Sequence, residues 1–189
     1  SWYLSELAAA DYAAAQEAGV SVYDYLSAQV AALGSAPTDI FFMPHFVGAC
    51  NPYNDVRSTG TVIGLTPHTT RHKLYKAIYE GIACEFRTVT SVLDEHAGHF
   101  SQVRINGGGG KARFSLELRA ALAGKTMLQL QCDEAGCLGA AMLAGLASGV
   151  YASEEDAVKQ AVHVITRVEP DPELAAHYES FYQAYSSIY

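Results

Sequence analysis

Gly107, Gly108, Gly109 and Gly110 stand in a row between a strand-like stretch, Phe100-Ser101-Gln102-Val103-Arg104-Ile105, and a helix-like one that runs from Ala112 to Leu122 and ends near Gly124. Lys111 follows the glycines directly. The run matters because it carries no side chains, so an anion can approach the main chain closely. Backbone N–H groups at the start of a helix are a ready site for phosphate. The stretch therefore reads as a strand–bend–helix unit of an α/β protein with a nucleotide-phosphate site at its bend. From the run alone, a flexible hairpin-like loop that binds nothing stays open.

The chain of 189 residues is long enough for one sizeable domain with a substantial core. Half of its residues are hydrophobic and 17% are charged, against about 25% charged in an average soluble domain. So low a charge content predicts a large surface covered by something else, either a further lobe or a second copy in a homodimer. A net charge of −8, with 12 scattered Lys and Arg, argues against a nucleic-acid partner. No window approaches the roughly 18 apolar residues of a membrane span. The N-terminal stretch, Ser1 to Leu7, has no basic n-region of a signal peptide. Cys50, Cys84, Cys132 and Cys137 lack zinc-type spacing, and Cys84 and Cys137, in helical stretches, fit buried, reduced thiols. These features together read as a cytoplasmic protein.

Along the chain, Ala-rich helices are expected over 2–17 and 22–33, and short strands over 39–43 and 61–65. Thr66-Pro67 reads as the cap and first residue of the longest helix. Leu74, Ile78, Ile82, Phe86, Val89 and Leu93 mark its buried face. A strand over 126–130 precedes a helix with two stripes of small residues, Gly136, Ala140, Ala144 and Ser148 beside Cys137, Ala141, Gly145 and Gly149. Such stripes predict a close neighbour, which would offset the cost, about 1 kcal/mol each, of Gly139 and Gly145 inside a helix. Ser153 with Asp156 resembles a capping box, and Asp171-Pro172 opens a last helix with Tyr178, Phe181, Tyr182 and Tyr185.

Three phosphate-binding patterns compete at the bend. A P-loop fails, because it needs glycine at position 105 and Ser or Thr at position 112, where Ile and Ala stand. Gly124-Lys125-Thr126 fails likewise, with arginine at position 119. A dinucleotide fingerprint is matched by Gly107-x-Gly109-x-x-Ala112, with Asp133 after the next strand. That match is weak inside a glycine run, where any spacing is satisfied. It leaves an NAD-dependent oxidoreductase as an alternative.

The third pattern involves more of the chain. Ile105-Asn106, the four glycines and Lys111-Ala112, followed by the stretch from Gly136 to Gly145, resemble the C-terminal lobe of the FGGY family of carbohydrate kinases. Upstream, Gly60-x-Val62-x-Gly64-Leu65 and Lys73-Leu74-x-x-Ala77-Ile78-Tyr79-Glu80 look like that family's second signature, and Pro44, Gly48, Pro52 and Asp55 fall in the segment leading to it. The resemblance runs from about residue 41 to 166. Lys73, Ala49-Cys50, Ala112 and Ala121 depart from common family residues, which bears on the subgroup more than on the family.

What the resemblance implies is a helix-rich actin- and hexokinase-like (ribonuclease H-like) ATPase lobe, incomplete at its N-terminal strands, with residues 1–189 as a single C-terminal nucleotide-binding domain. ATP, with Mg2+, would lie on this lobe. Gly107, Gly108, Gly109, Gly110, Lys111, Ala112 and Gly139 would shape the nucleotide site. The sugar, and the aspartate that takes its proton, would belong to an N-terminal lobe for which no segment here is found, so no catalytic residue is expected in this chain and no turnover from it alone. The segment 44–65 favours a pentulose such as xylulose as substrate. A non-catalytic nucleotide-binding or assembly module of the same fold stays open, because of Ala112 and Ala121.

Other conspicuous side chains have plainer readings. His68 and His72, four apart, lack a third ligand and read as a solvated helix face rather than a metal site. His96 and His99 read as partners of a helix C-terminus. Asp133 and Glu134 read as exposed strand-end acids, Glu80 as a structural hydrogen-bond partner or a ligand, and the tyrosines of the last helix as packing groups.

Overall fold

The computed structural model describes residues 2–107 and 112–189. Three short helices open it: α1 (Trp2–Glu6), α2 (Ala9–Glu17) and α3 (Val22–Ala32). The single helix expected over 2–17 is broken at Leu7 and Ala8. Leu7 N–H closes α1 on Tyr3 O, and Tyr12 N–H opens α2 on Ala8 O. The break lets Tyr3, Leu4, Ala8 and Ala15 face one core with Val22, Leu26, Val30 and Tyr75.

Strands β1 (Phe41–Met43) and β2 (Thr61–Ile63) pair antiparallel, with Phe42 opposite Val62. The long helix α4 (Arg71–Ala97) begins later than its sequence suggests. Thr66 and Pro67 lie in a turn, where Thr66 N–H bonds Thr69 Oγ1 (3.0 Å) and Thr69 N–H bonds Thr66 O (2.9 Å). Local hydroxyl bonds of this kind compete with helix formation. Thr70, in extended conformation, is the cap and accepts from Lys73 N–H. β1 lies directly on α4: a Cβ at Gly81 would stand 1.9 Å from Phe42 O. No other residue fits there.

The second sheet has the order β3-β4-β5, from β3 (Gln102–Ile105), β4 (Thr126–Leu130) and β5 (Val164–Val168). β3 and β4 run parallel and β5 returns antiparallel. Helix α5 (Arg113–Ala123) joins β3 to β4; α6 (Ala135–Ala147) and α7 (Glu154–Ala161) join β4 to β5. The closing helix α8 (Pro172–Ser186) has Pro172 at its first turn, and Asp171 accepts from Glu173 and Leu174 N–H. Ser153 caps α7 as expected, accepting from Asp156 N–H, while the Asp156 carboxylate takes Ala152 N–H.

The main core lies where α4, α5 and α8 meet: Ala83, Cys84, Leu118, Ala121, Leu122, Tyr178, Phe181 and Tyr185, with Met43 from β1. A second layer, Ile105, Leu116, Ala120, Met127 and Val168, joins α5 to the sheet. Within the first core Glu80 is fully buried and takes Tyr178 OH (2.6 Å), Thr38 N–H (3.1 Å) and the Thr38 hydroxyl. Burial pushes its carboxyl above the usual range. The neighbouring Lys76 ammonium, 3.8 Å away, is pushed down by the same cause and donates to Gly34 O and Ala36 O. Glu80 thus ties Thr38 and α8 to α4, and Lys76 ties Gly34 and Ala36 to the same helix. Lys125, which failed as a P-loop lysine, is buried against Asp94 (2.7 Å) and Phe100 O (2.6 Å). The tyrosines of α8 pack as expected.

α6 corrects one expectation and meets another. A Cβ at Gly136 or Gly139 would meet nothing within 4 Å, so among the described residues no close neighbour explains them. At Gly145 the expected approach exists: a Cβ there would stand 2.5 Å from the Tyr151 ring. No residue of α6 is buried, although the helix contains no charged side chain. This is the uncovered apolar surface that the low charge content predicts. Cys137 on α6 is exposed and Cys50 too, so only Cys84 is the buried thiol expected. Among the described residues no helix is long and apolar enough to cross a membrane.

Candidate nucleotide site

Parallel strands β3 and β4 end at the same edge of the sheet, and each is followed by a bend and a helix. In open α/β sheets ligands collect at such carboxyl ends. Ile105 is anchored in the core below the first bend. Asn106 leads to Gly107, whose φ of +74° is the left-handed conformation that glycine adopts without penalty. A Cβ on Gly107 would stand 3.7 Å from Asp133 O, so the two bends meet here.

The helix starts are alike. Ala112 caps α5 in extended conformation (φ −82°, ψ 112°) with no side-chain bond to the first turn, and its carbonyl accepts from Ser115 and Leu116 N–H. Glu134, at the same place before α6, also makes no side-chain cap. Among the described residues, neither cap residue gives its helix the side-chain acceptor that usually satisfies first-turn N–H groups. Their partial positive charge favours an anion. Arg113 is held by Glu117 (2.8 Å) on the surface of α5.

Of the sequence-predicted site residues, Gly107 and Ala112 are described, on either side of residues 108–111 between β3 and α5. Gly108, Gly109, Gly110 and Lys111 lie outside the described residues. Gly139, half-buried in the second turn of α6, follows the second bend. Asp133 and Glu134 are exposed as expected, Asp133 beside Gly107. No group of three or more His, Cys, Asp or Glu suited to a metal occurs among the described residues.

His72 does not lie on a solvated face. It meets the fully buried Asp11 (Nε2 to Oδ1, 2.8 Å), which also accepts from Arg71 Nε at 2.8 Å. His96 does bond a carbonyl of its own helix, Val92 O at 3.0 Å, and His99 lies 3.5 Å from Asp94. The sequence offered no signal for Asp11, nor for the His45 cluster described below, since their partners lie 60 and 40 residues away.

A β-α-β unit with a glycine bend suits a dinucleotide as well as a kinase nucleotide; comparisons with known proteins separate the two. A model of the FGGY family of carbohydrate kinases, C-terminal domain, matches residues 1–148. Glycerol kinase of Pseudothermotoga lettingae is 36% identical over 137 residues, covering 71% of this chain and 27% of that protein. Xylulose kinase of Staphylococcus epidermidis is 30% identical over 151 residues, covering 79% of this chain and 30% of its own. The chain thus spans less than a third of these relatives' length. Xylulose kinase from Rhodospirillum rubrum has a similar structure, with a TM-score of 0.76 and 26% identity over 95% of this chain and 36% of that one. Plasmodium falciparum glycerol kinase with ADP shares the fold, at a TM-score of 0.71 and 20% identity, over 87% of this chain and 33% of its own.

Proposed function

The chain belongs to the FGGY family of carbohydrate kinases, with their actin- and hexokinase-like ATPase fold, and on that premise we propose that it is the ATP-binding lobe of a kinase that transfers the γ-phosphate of ATP to a sugar hydroxyl. The single observation that carries this reading is the meeting of Gly107 with the Asp133 carbonyl where β3 and β4 end, with two uncapped helix starts beside it. Gly107, Gly108, Gly109 and Gly110 would bring bare backbone to the phosphates. Lys111 would add charge, and Ala112 and Gly139 would shape the pocket without bulk. Mg2+ would arrive on the nucleotide phosphates and offset their charge.

Phosphoryl transfer depends mainly on positioning and electrostatics, and needs a base for the accepting hydroxyl. This chain's residues would supply the positioning: main-chain N–H donors and two helix dipoles aimed at one anion. The base and the sugar site would come from an N-terminal lobe, so residues 1–189 form one lobe with no turnover of its own. A pentulose such as xylulose is the preferred acceptor, supported by the segment 44–65 and by the xylulose kinase among the relatives.

The reading is tested by thermal shift with ATP, ADP and NAD. Adenine nucleotide at a hundred times its dissociation constant stabilises by about 2.7 kcal/mol; stabilisation by NAD with none by ATP or ADP overturns the proposal. A coupled assay with xylulose and with glycerol should show no ADP release by this chain alone.

A second reading, a non-catalytic nucleotide module, is favoured by one feature. Ala121 is 3% exposed in the core of α4, α5 and α8, where an aspartate is common in the family. Joining the chain to an aspartate-bearing N-terminal lobe decides between them, since only the kinase reading then yields turnover.

A further inference from the structure

A buried histidine outside the nucleotide site joins a serine to a carboxylate. His45 follows β1, is 5% exposed, and lies between Ser58 Oγ (2.8 Å from Nδ1) and Glu85 Oε1 (3.2 Å from Nε2). The Tyr185 hydroxyl donates to the same Glu85 oxygen at 2.8 Å, and the rings of Tyr53 and Tyr189 flank the imidazole. An ionised carboxylate only accepts, so Glu85 holds the imidazole proton on Nε2 and leaves the Nδ1 lone pair to the Ser58 hydroxyl. Ser58 itself is half-buried, and its N–H is tied to Asp55 O (3.3 Å), which fixes the turn that carries it. A nucleophile, its base and an orienting third group within hydrogen-bond reach form the arrangement that activates serine.

We propose that Ser58 is an activated nucleophile that takes acyl groups from reactive esters, with His45 as its general base and Glu85 as the positioning residue. In that step the Ser58 Oγ–carbon bond forms while the Oγ proton passes to His45 Nδ1. The ester C–O bond breaks, and the departing alkoxide takes the proton from Nδ1. Water, activated by the same nitrogen, then hydrolyses the new ester and restores Ser58.

The test treats the full chain with a fluorophosphonate probe, whose P–F bond is broken by serine attack, and maps the label by peptide mass spectrometry. Label on Ser58 is expected, absent from Ser58→Ala, with p-nitrophenyl acetate hydrolysis falling in parallel. Glu85→Gln, whose amide can donate as well as accept and so releases the tautomer, slows labelling about tenfold; His45→Gln slows it about a hundredfold. Because a histidine variant can lose the fold, Glu85→Gln, checked for an unchanged melting transition, carries the test by itself. No label on Ser58, or labelling of Glu85→Gln at the wild-type rate, overturns the proposal.

Discussion

α5 and α6 hold the same place in the chain and opposite places in the fold. Each follows a parallel strand and a bend, each starts without a side-chain cap, and both belong to the candidate nucleotide edge. Yet α5 buries Ser115, Leu116, Leu118, Ala120, Ala121 and Leu122, whereas α6 buries nothing. α6 is the more apolar of the two, with no charged residue in its thirteen. A helix that is apolar all round normally belongs in an interior. The difference teaches that burial here follows position, not hydrophobicity. α5 lies between α4, α8 and the sheet, while among the described residues α6 has chiefly α7 as its neighbour.

The strongest way to break this comparison is a pair of truncations. Leu116→Ala should cost about 2–5 kcal/mol as a core cavity, whereas Leu143→Ala, at 66% exposure on α6, should stay within about 0.5 kcal/mol. Urea unfolding of both variants checks this, and equal losses would mean that α6 is covered in solution. Next in size, Tyr178→Phe removes a donor from the buried Glu80 carboxylate and should cost about 1–3 kcal/mol, measured in the same way. That result would sharpen the account of the α4–α8 side, where polar groups are enclosed and partnered.

Gly107→Ala probes the shared edge itself. A left-handed alanine should cost about 1–2 kcal/mol, and calorimetry should show weaker binding of ADP, with the melting transition only slightly lowered. Binding unchanged from wild type would remove the bend from the site. The smallest effect is expected at high pH. Burial beside Asp11 pushes the Tyr3 hydroxyl up to about 12, against about 10 in the unfolded chain. Its contribution is therefore present below pH 10 and fades as pH rises through 12. The difference in unfolding midpoint between wild type and Tyr3→Phe, followed from pH 9 to about 13, should shrink over that window, which separates Tyr3 from the other buried phenols and from Cys84.

The strand–helix order along the candidate edge was legible because its signals are local. A strand, a glycine bend and a helix follow one another within about twenty residues, and Thr126–Leu130 repeats the first half of the pattern. The caps at Ser153 and Asp171 were legible for the same reason, since their bonds span two to four residues. Thr66 misled because Thr70, four residues on, has the same capping chemistry, and only the path of the chain selects between them. β5 left no readable signal. Its residues Val164, Ile165 and Thr166 alternate weakly, and it is a strand because β4 offers it an edge. His72 was misread because Asp11, its partner, belongs to a helix 61 residues earlier.

The sequence by itself determined the α/β units, the glycine run and the resemblance to the FGGY kinases, since periodicity, turn chemistry and motif order are all carried by neighbours along the chain. Only the tertiary structure decided which carboxylates are enclosed, that Lys125 is a buried structural cation, that His45 stands between Ser58 and Glu85, and that α6 lies open. Those outcomes depend on which distant surfaces meet: contact, unlike propensity, is a property of the packed chain and not of any segment within it.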